Sequence, residues 1–328
     1  MELLLSISMF LVGLAAIIKG ADWLTEGAAH VAERMGVPTI VVGMTIVAIG
    51  SSAPEFVVSM VAAVQGNADI ALGNIVGSNI FNILAIMGIT AIVHPMLATR
   101  GNVRNDVPFV MLSSVVIAIT AFDSFFTSGA ADSISRTDGL LMLAMFAIFI
   151  SYTLAIAKAP VTAEGETPVQ ETSSLRVSAW KDAAFIIVGL ALLVLGGDWL
   201  VDGASGMASS MGISDAIIAL TIVSAGTSAP ELAASVMAAR KGDTAMALGN
   251  IVGSVAFNVF FVLGSAATVH PIGVAGITPF DMITLLVASF VLWVFCRFGK
   301  HRLTLTRTEG VIMVLMAVAY YVYRVVAV

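Results

Sequence analysis

The sequence predicts an all-α polytopic membrane protein, with ten transmembrane helices arranged as two inverted-topology five-helix repeats. Three observations carry that expectation. Of 328 residues, 59% are hydrophobic and only 11% charged. A soluble domain carries roughly 25% charged residues, so the chain reads as apolar spans joined by short loops. Ten apolar stretches follow one another, at about 3–24, 37–64, 70–93, 107–121, 138–158, 180–201, 213–239, 246–269, 279–297 and 309–327. Finally, the second half repeats the first at a constant offset of 176 residues.

The opening Met1-Glu2-Leu3 has neither a basic region nor a small-residue cleavage site, so it reads as the start of the first span. The second and seventh stretches exceed what a straight helix needs to cross a core about 30 Å thick, which suggests tilt or an internal break. The fourth is short. Between the fifth and sixth lies a polar run rich in Pro, Thr, Glu and Ser, read as a solvated linker. The expected division is a first repeat over 1–158, a cytoplasmic linker over 159–179, and a second repeat over 180–328.

Loop charges set the orientation. With the N-terminus outside, the inner loops collect Arg34, Arg100, Arg104, Lys158, Arg176, Lys181, Arg240, Lys241, Arg297, Lys300, Arg302 and Arg307. The outer side keeps only Arg136 and Arg324. Excess Lys and Arg mark the cytoplasmic side, so both termini are expected outside. Five spans per half then place the second copy upside down. Inverted repeats with interrupted helices in matching positions are the sequence mark of a secondary transporter, with its site at the repeat interface.

The matching segments are specific. Asp22-Trp23-Leu24 recurs as Asp198-Trp199-Leu200, and His94-Pro95 as His270-Pro271. Gly50-Ser51-Ser52-Ala53-Pro54-Glu55 recurs as Gly226-Thr227-Ser228-Ala229-Pro230-Glu231. Gly73-Asn74-Ile75-Val76-Gly77-Ser78 recurs as Gly249-Asn250-Ile251-Val252-Gly253-Ser254, and Phe81-Asn82 as Phe257-Asn258. A carboxylate at membrane depth costs ~2.5–3.5 kcal/mol even on the lower scales. Proline has no N–H and breaks the helix ladder, freeing carbonyls about one turn upstream. One copy could be a kinked helix with a protonated glutamate. Two copies at matched positions point to paired oxygen-rich sites.

The third span adds Asn74, Ser78 and Asn82, four apart and so on one helix face; Asn250, Ser254 and Asn258 repeat the stripe in the eighth. Taken singly, such a stripe reads as glue between helices. Two stripes, each following a Pro-Glu helix, read as ligand sets. Asn74 and Asn250, at the span starts, are expected to serve the broken backbone instead. Gly73 and Gly77 beside the stripe allow close helix approach. His94 and His270 lie at span ends and read as interfacial.

Glu55 and Glu231 bring two negative charges, and no intramembrane Lys or Arg is placed to neutralise them. Lys19 has Leu195 as its counterpart and can reach an interface. Bound cations must supply the balance. Carboxylates, hydroxyls, amide oxygens and carbonyls suit Ca²⁺, which takes six to eight oxygens, and also Na⁺; Mg²⁺ demands a stricter octahedron. Cys296 is the only cysteine, so neither an intrachain disulfide nor a thiolate metal site is expected. No stretch forms a nucleic-acid patch, and nothing demands more than one copy of the chain.

These paired motifs resemble the two α-repeats of the cation/calcium exchanger superfamily, most closely its prokaryotic sodium/calcium exchanger branch. The resemblance covers both halves. It implies ten helices in two inverted repeats, location in a prokaryotic inner membrane, no enzymatic activity and no cofactor, with Ca²⁺ and Na⁺ as the transported ions. It makes Glu55 and Glu231 the central ligands. Ser51, Ser52, Ser78 and the backbone of Ala48 complete the first half of the site, and Thr227, Ser228, Ser254 and the backbone of Ser224 the second. Asn82 and Asn258 flank the middle. Some members carry a carboxylate where Asn258 stands, including the branch that carries K⁺, so transport here is expected not to need K⁺. The linker is too short for the calcium-sensing domains of animal exchangers. The implied function is Na⁺-driven Ca²⁺ antiport, with three Na⁺ per Ca²⁺. Ca²⁺/H⁺ antiport is the alternative, although the proton-coupled branch carries a Gly-Asn-Ala-x-Glu pattern instead. A passive cation channel and an intramembrane hydrolase are the other classes; the second lacks a nucleophile–base pair.

Overall fold

A computed structural model describes residues 2–66, 68–125, 132–158, 179–210, 224–274, 276–299 and 303–327. The linker, most of the N-terminal half of the seventh expected span, and Lys300 and Arg302 lie outside the described residues.

The chain is overwhelmingly helical. In order, its long helices are α1 (Glu2–Met35), α2 (Thr39–Ser51), α3 (Ala53–Val64), α4 (Ile70–Val93), α5 (Asn102–Ala121), α6 (Arg136–Lys158) and α7 (Ala179–Ser210). They are followed by the short α8 (Ser224–Thr227), then α9 (Ala229–Arg240), α10 (Thr244–Val269), α11 (Pro279–Phe298) and α12 (Arg307–Ala327). Among the described residues, eight helices are long and apolar enough to cross a membrane, and α2 with α3 makes a ninth span bent by 49°. The bend falls where the sequence places Pro54. The fourth span is longer than its apolar stretch: α5 starts at Asn102, and its first turn, Asn102–Asp106, is polar and π-type. That polar turn is why hydropathy alone places the start five residues late.

Local chemistry opens four of these helices. Thr99, Ser135, Thr278 and Thr306 each donate their backbone N–H to the polar side chain three residues on: Asn102, Asp138, Asp281 and Glu309, at 2.6, 2.8, 2.7 and 2.7 Å. This is half of a capping box, which satisfies donors left free at a helix start. Gly66 and Gly242, repeat-equivalents after α3 and α9, have φ of +72° and +86°, a conformation that favours glycine where a helix ends.

Two glycine ladders let α1 and α7 meet. Gly13, Gly20 and Gly27 recur every seven residues, and Gly189, Gly196 and Gly203 are their counterparts at the 176-residue offset. A Cβ at Gly20 would lie 2.7 Å from the Gly189 carbonyl oxygen; one at Gly196 would lie 2.9 Å from the Gly13 carbonyl oxygen. Backbone therefore runs against backbone. At one end, the buried Asp182 of α7 accepts from Arg34 at 2.6 Å and pairs with His30 at 3.0 Å. Lys241, after α9, reaches Asp22 of α1 at 2.8 Å.

The best-buried spans are α4 and α10. They form the centre of the molecule and carry the two polar stripes inside. Gly249 and Gly253 of α10 pack against Ile40 and Met44 of α2. Two short strand pairings tie loops together: Met96–Leu97 with Thr304–Leu305, and Ser133–Ile134 with Ile272–Gly273, both antiparallel. His94 and His270 are exposed at span ends, as expected, each bonded through Nδ1 to the carbonyl of the following proline.

The ladders give a paired prediction. Gly196→Ala places a methyl against backbone that cannot yield, whereas Gly197→Ala meets only ordinary contact, with Pro230 at 3.8 Å. Overpacking costs ~1–3 kcal/mol. Thermal unfolding of the purified protein should show a lowered midpoint for Gly196→Ala and little change for Gly197→Ala.

Candidate cation site

Both glutamates stand at the start of a half-helix. Ser52 leaves the helical region with ψ of 11°, Pro54 occupies the first turn of α3, and Glu55 follows in that turn. Ser228 has ψ of 9°, and Pro230 and Glu231 open α9 in the same way. Proline is tolerated here because the N–H groups of a first turn lack intrahelical partners. The positive end of a half-helix dipole therefore sits beside each carboxylate.

The two halves hold each other's glutamate. Ser52 Oγ donates to Glu231 Oε1 at 2.7 Å, and Ser228 Oγ donates to Glu55 Oε1 at 3.0 Å. Asn74 donates to the Glu55 carbonyl at 3.3 Å and to Ser59 Oγ at 2.9 Å; Asn250 donates to the Glu231 carbonyl at 3.3 Å and to Ser235 Oγ at 2.8 Å. The matched geometry gives Asn74 and Asn250 the backbone-supporting role expected of them.

Glu55 and Glu231 are 0% and 1% exposed. Among the described residues, neither takes part in an ion pair. Among the described residues, eight buried side-chain oxygens and nitrogens have no hydrogen-bond partner: Glu55 Oε2, Glu231 Oε2, Ser78 Oγ, Ser254 Oγ, both amide atoms of Asn82, Asn258 Oδ1 and Ser205 Oγ. All but the last belong to residues expected to form the site. Buried polar atoms are nearly always paired, so a cluster of orphaned oxygens around two carboxylates has the chemistry of a dehydrated hard-cation site.

The remaining expected residues are placed as follows. Ser51 is buried, with its hydroxyl 3.4 Å from both the Ala48 carbonyl and Asn250 Oδ1. The Ala48 carbonyl accepts the Ser52 N–H at 3.0 Å. Thr227 is partly exposed at the end of α8, and Ser224 begins that helix. Phe81–Ile86 and Phe257–Leu263 are π-type turns, placing Asn82 and Asn258 where the helix locally widens.

Three residues escaped the sequence reading. Ser59 and Ser235 lie one turn after the glutamates and recur at the same offset, so the repeat itself could have marked them. Asn79, fully buried beside Asn258, has Val255 as its counterpart. No duplicated signal points to it.

Comparison with known proteins places these features. The family described as "Sodium/calcium exchanger protein" matches residues 5–155 and again residues 181–326. A putative antiporter, CaxA, of Alkalimonas amylolytica is 37% identical over 314 residues, covering 94% of this chain and 95% of that protein. The sodium/calcium exchanger MaX1 of Methanosarcina acetivorans is 29% identical over 341 residues, covering 96% and 97%. Among solved structures, the sodium-calcium exchanger NCX_Mj superposes with a TM-score of 0.81 at 27% identity, covering 99% of both chains.

A cation that fills the orphaned site should stabilise the fold. Ligand at about 100 times its Kd adds ~2.7 kcal/mol. In purified protein, Ca²⁺ should raise the unfolding midpoint, Mg²⁺ far less, and Glu231→Gln should remove the Ca²⁺ shift.

Proposed function

The chain belongs to the sodium/calcium exchanger family of cation antiporters, and from that premise we propose that it exchanges Na⁺ for Ca²⁺ by alternating access, extruding one Ca²⁺ for three Na⁺. One observation carries the reading: two buried carboxylates are each bonded by a serine of the other repeat, and among the described residues they have no ion-pair partner while oxygens of Ser78, Ser254, Asn82 and Asn258 are buried without a hydrogen-bond partner.

In this reading Glu55 and Glu231 are the central ligands. Ser51, Ser52, Ser78, Asn82 and the Ala48 carbonyl line the first half. Thr227, Ser228, Ser254, Asn258 and the Ser224 carbonyl line the second. Two carboxylates match one Ca²⁺, whereas three Na⁺ leave one net positive charge. The same oxygens accept either ion, so binding is competitive, which is what an antiporter requires. The neutral Asn258 supports exchange without K⁺.

The two family matches, one per half, support the division at the linker into two five-helix repeats. The strand pairings support ten crossings. Joining Met96–Leu97 to Thr304–Leu305 at one membrane face requires an even number of spans between them. The helices Asn102–Ala121, Arg136–Lys158, Trp180–Met207, Thr244–Val269 and Pro279–Phe298 make five. The stretch between Met207 and Thr244 then makes the sixth. With the loop charges, this supports both termini lying outside a prokaryotic inner membrane.

The test is ⁴⁵Ca²⁺ uptake into proteoliposomes loaded with Na⁺, with K⁺ replaced by choline. Uphill Ca²⁺ accumulation driven by the Na⁺ gradient is expected; uptake driven only by a proton gradient would favour Ca²⁺/H⁺ exchange. Glu55→Gln and Glu231→Gln should each abolish uptake while the protein still inserts, because one lost carboxylate leaves Ca²⁺ under-compensated at low dielectric. An imposed membrane potential should also change the rate, since moving one charge is worth ~2.3 kcal/mol per 100 mV. Potential-independent exchange would contradict three-for-one coupling.

A further inference from the structure

Asn79 is a buried amide with no duplicate in the other repeat. Its Nδ2 donates to the Val255 carbonyl at 3.5 Å, and its Oδ1 accepts from Asn258 Nδ2 at 3.1 Å. Asn258 Oδ1 then has no protein partner. All three side chains involved in the comparison, Asn79, Asn82 and Asn258, are 0% exposed.

The chain of bonds has a fixed direction. A carbonyl can only accept, so the Asn79 amino group must face Val255. Its oxygen must then face Asn258. That oxygen can only accept, so Asn258 must turn its amino group toward Asn79 and its oxygen the other way. Reversing either amide would set two acceptors against each other in a buried place, most closely at the 3.1 Å Asn258–Asn79 contact.

The opposite repeat has no such relay. Asn79 and Val255 are repeat-equivalents, as are Asn82 and Asn258. The mirror-image partner for Asn82 is therefore an apolar valine. Among the described residues, neither amide atom of Asn82 has a hydrogen-bond partner.

We propose that Asn79 is a positioning residue: it commits the Asn258 amide to present its oxygen to the transported cation, while the equivalent Asn82 is left to be oriented by the ion itself. This rests on the exchanger reading of the site. A cation attracts the oxygen end of an amide and repels the amino end, so a fixed orientation removes an unproductive rotamer before binding. Groups that orient a ligand in this way typically change metal affinity about 10–100-fold when removed.

The test compares two near-isosteric changes. Asn79→Leu removes the acceptor that holds Asn258. Asn79→Asp keeps it in its protonated form, the one that fits the site: the carboxyl O–H donates to the Val255 carbonyl in place of the Asn79 amino group, and the other oxygen accepts from Asn258 Nδ2. Two readouts are taken on the full-length protein: the Ca²⁺ concentration for half-maximal Na⁺-driven uptake, and the Ca²⁺ concentration for half of the thermal shift. Folding is monitored by size exclusion and by the cation-free unfolding midpoint. The expected result is that Asn79→Leu raises both concentrations about 10-fold or more, while Asn79→Asp stays close to wild type. In an Asn258→Ala background, with no amide left to orient, Asn79→Leu should add nothing. A wild-type Ca²⁺ dependence in Asn79→Leu would overturn the proposal, as would an equal additional loss in the Asn258→Ala background. So would an Asn79→Asp protein that folds but binds as weakly as Asn79→Leu. Should wild type bind Ca²⁺ without exchanging it, the exchanger reading fails, and the thermal-shift arm still decides the role of Asn79.

Discussion

The whole arrangement depends on keeping two carboxylates out of water with no compensating base among the described residues. Glu55 and Glu231 are buried in an apolar bundle, and the protein answers with dipoles rather than charges. Each carboxylate sits in the first turn of a half-helix and accepts a hydroxyl from the opposite repeat. These contacts reduce the cost of burial and leave one oxygen of each glutamate unpaired. Under the proposed function, a transported cation answers the residual field. Every other feature of the centre serves this purpose: prolines break the helices, asparagines hold the broken backbone, and small residues let the helices approach.

Duplication explains how such a site arises from short motifs. A single Pro-Glu break offers one carboxylate, a few hydroxyls and loose carbonyls, too little to surround an ion that takes six to eight oxygens. Crossing the second copy against the first doubles the ligands, and it lets each serine bond the other copy's glutamate. The cross-bonds also make the halves mutually dependent, since neither glutamate is held by its own repeat's hydroxyl alone. The glycine ladders of α1 and α7 obey the same offset. Duplication therefore built the packing of the first helix in each repeat as well as the site.

Much of this was legible in the sequence because it was written twice. The offset of 176 residues exposed the glutamates, the serines and the Asn-Ser-Asn stripes. Position at the span starts, not the offset, separated Asn74 and Asn250, which support backbone, from the other stripe members. What hid either broke the pattern or carried little chemistry of its own. The start of α5 is polar, so hydropathy placed it late. Ser59 and Ser235 are duplicated but chemically modest, and only their bonds to Asn74 and Asn250 give them meaning. Asn79 stands opposite a valine, so the symmetry argument that found its neighbours passed over it. The seventh expected span, 213–239, was read from hydropathy alone, and most of its first half lies outside the described residues.

The same charge balance bears on why exchange, rather than leak, is the natural behaviour of such a centre. Under the proposed alternation, the empty site would have to close with two carboxylates uncompensated in a low-dielectric interior, where charge–charge terms are large. In that reading a Ca²⁺-loaded centre would be neutral and one loaded with three Na⁺ would carry one positive charge; either would close more readily than the empty one. Ions would thus license the movement, not merely ride on it. The asymmetry at Asn79 fits this scheme. One half offers an amide oxygen already turned toward the ion, and the other offers an amide that the ion must turn. A centre with one fixed and one adjustable arm can hold a single divalent ion tightly and still re-form around several monovalent ones, which competition between Ca²⁺ and Na⁺ demands.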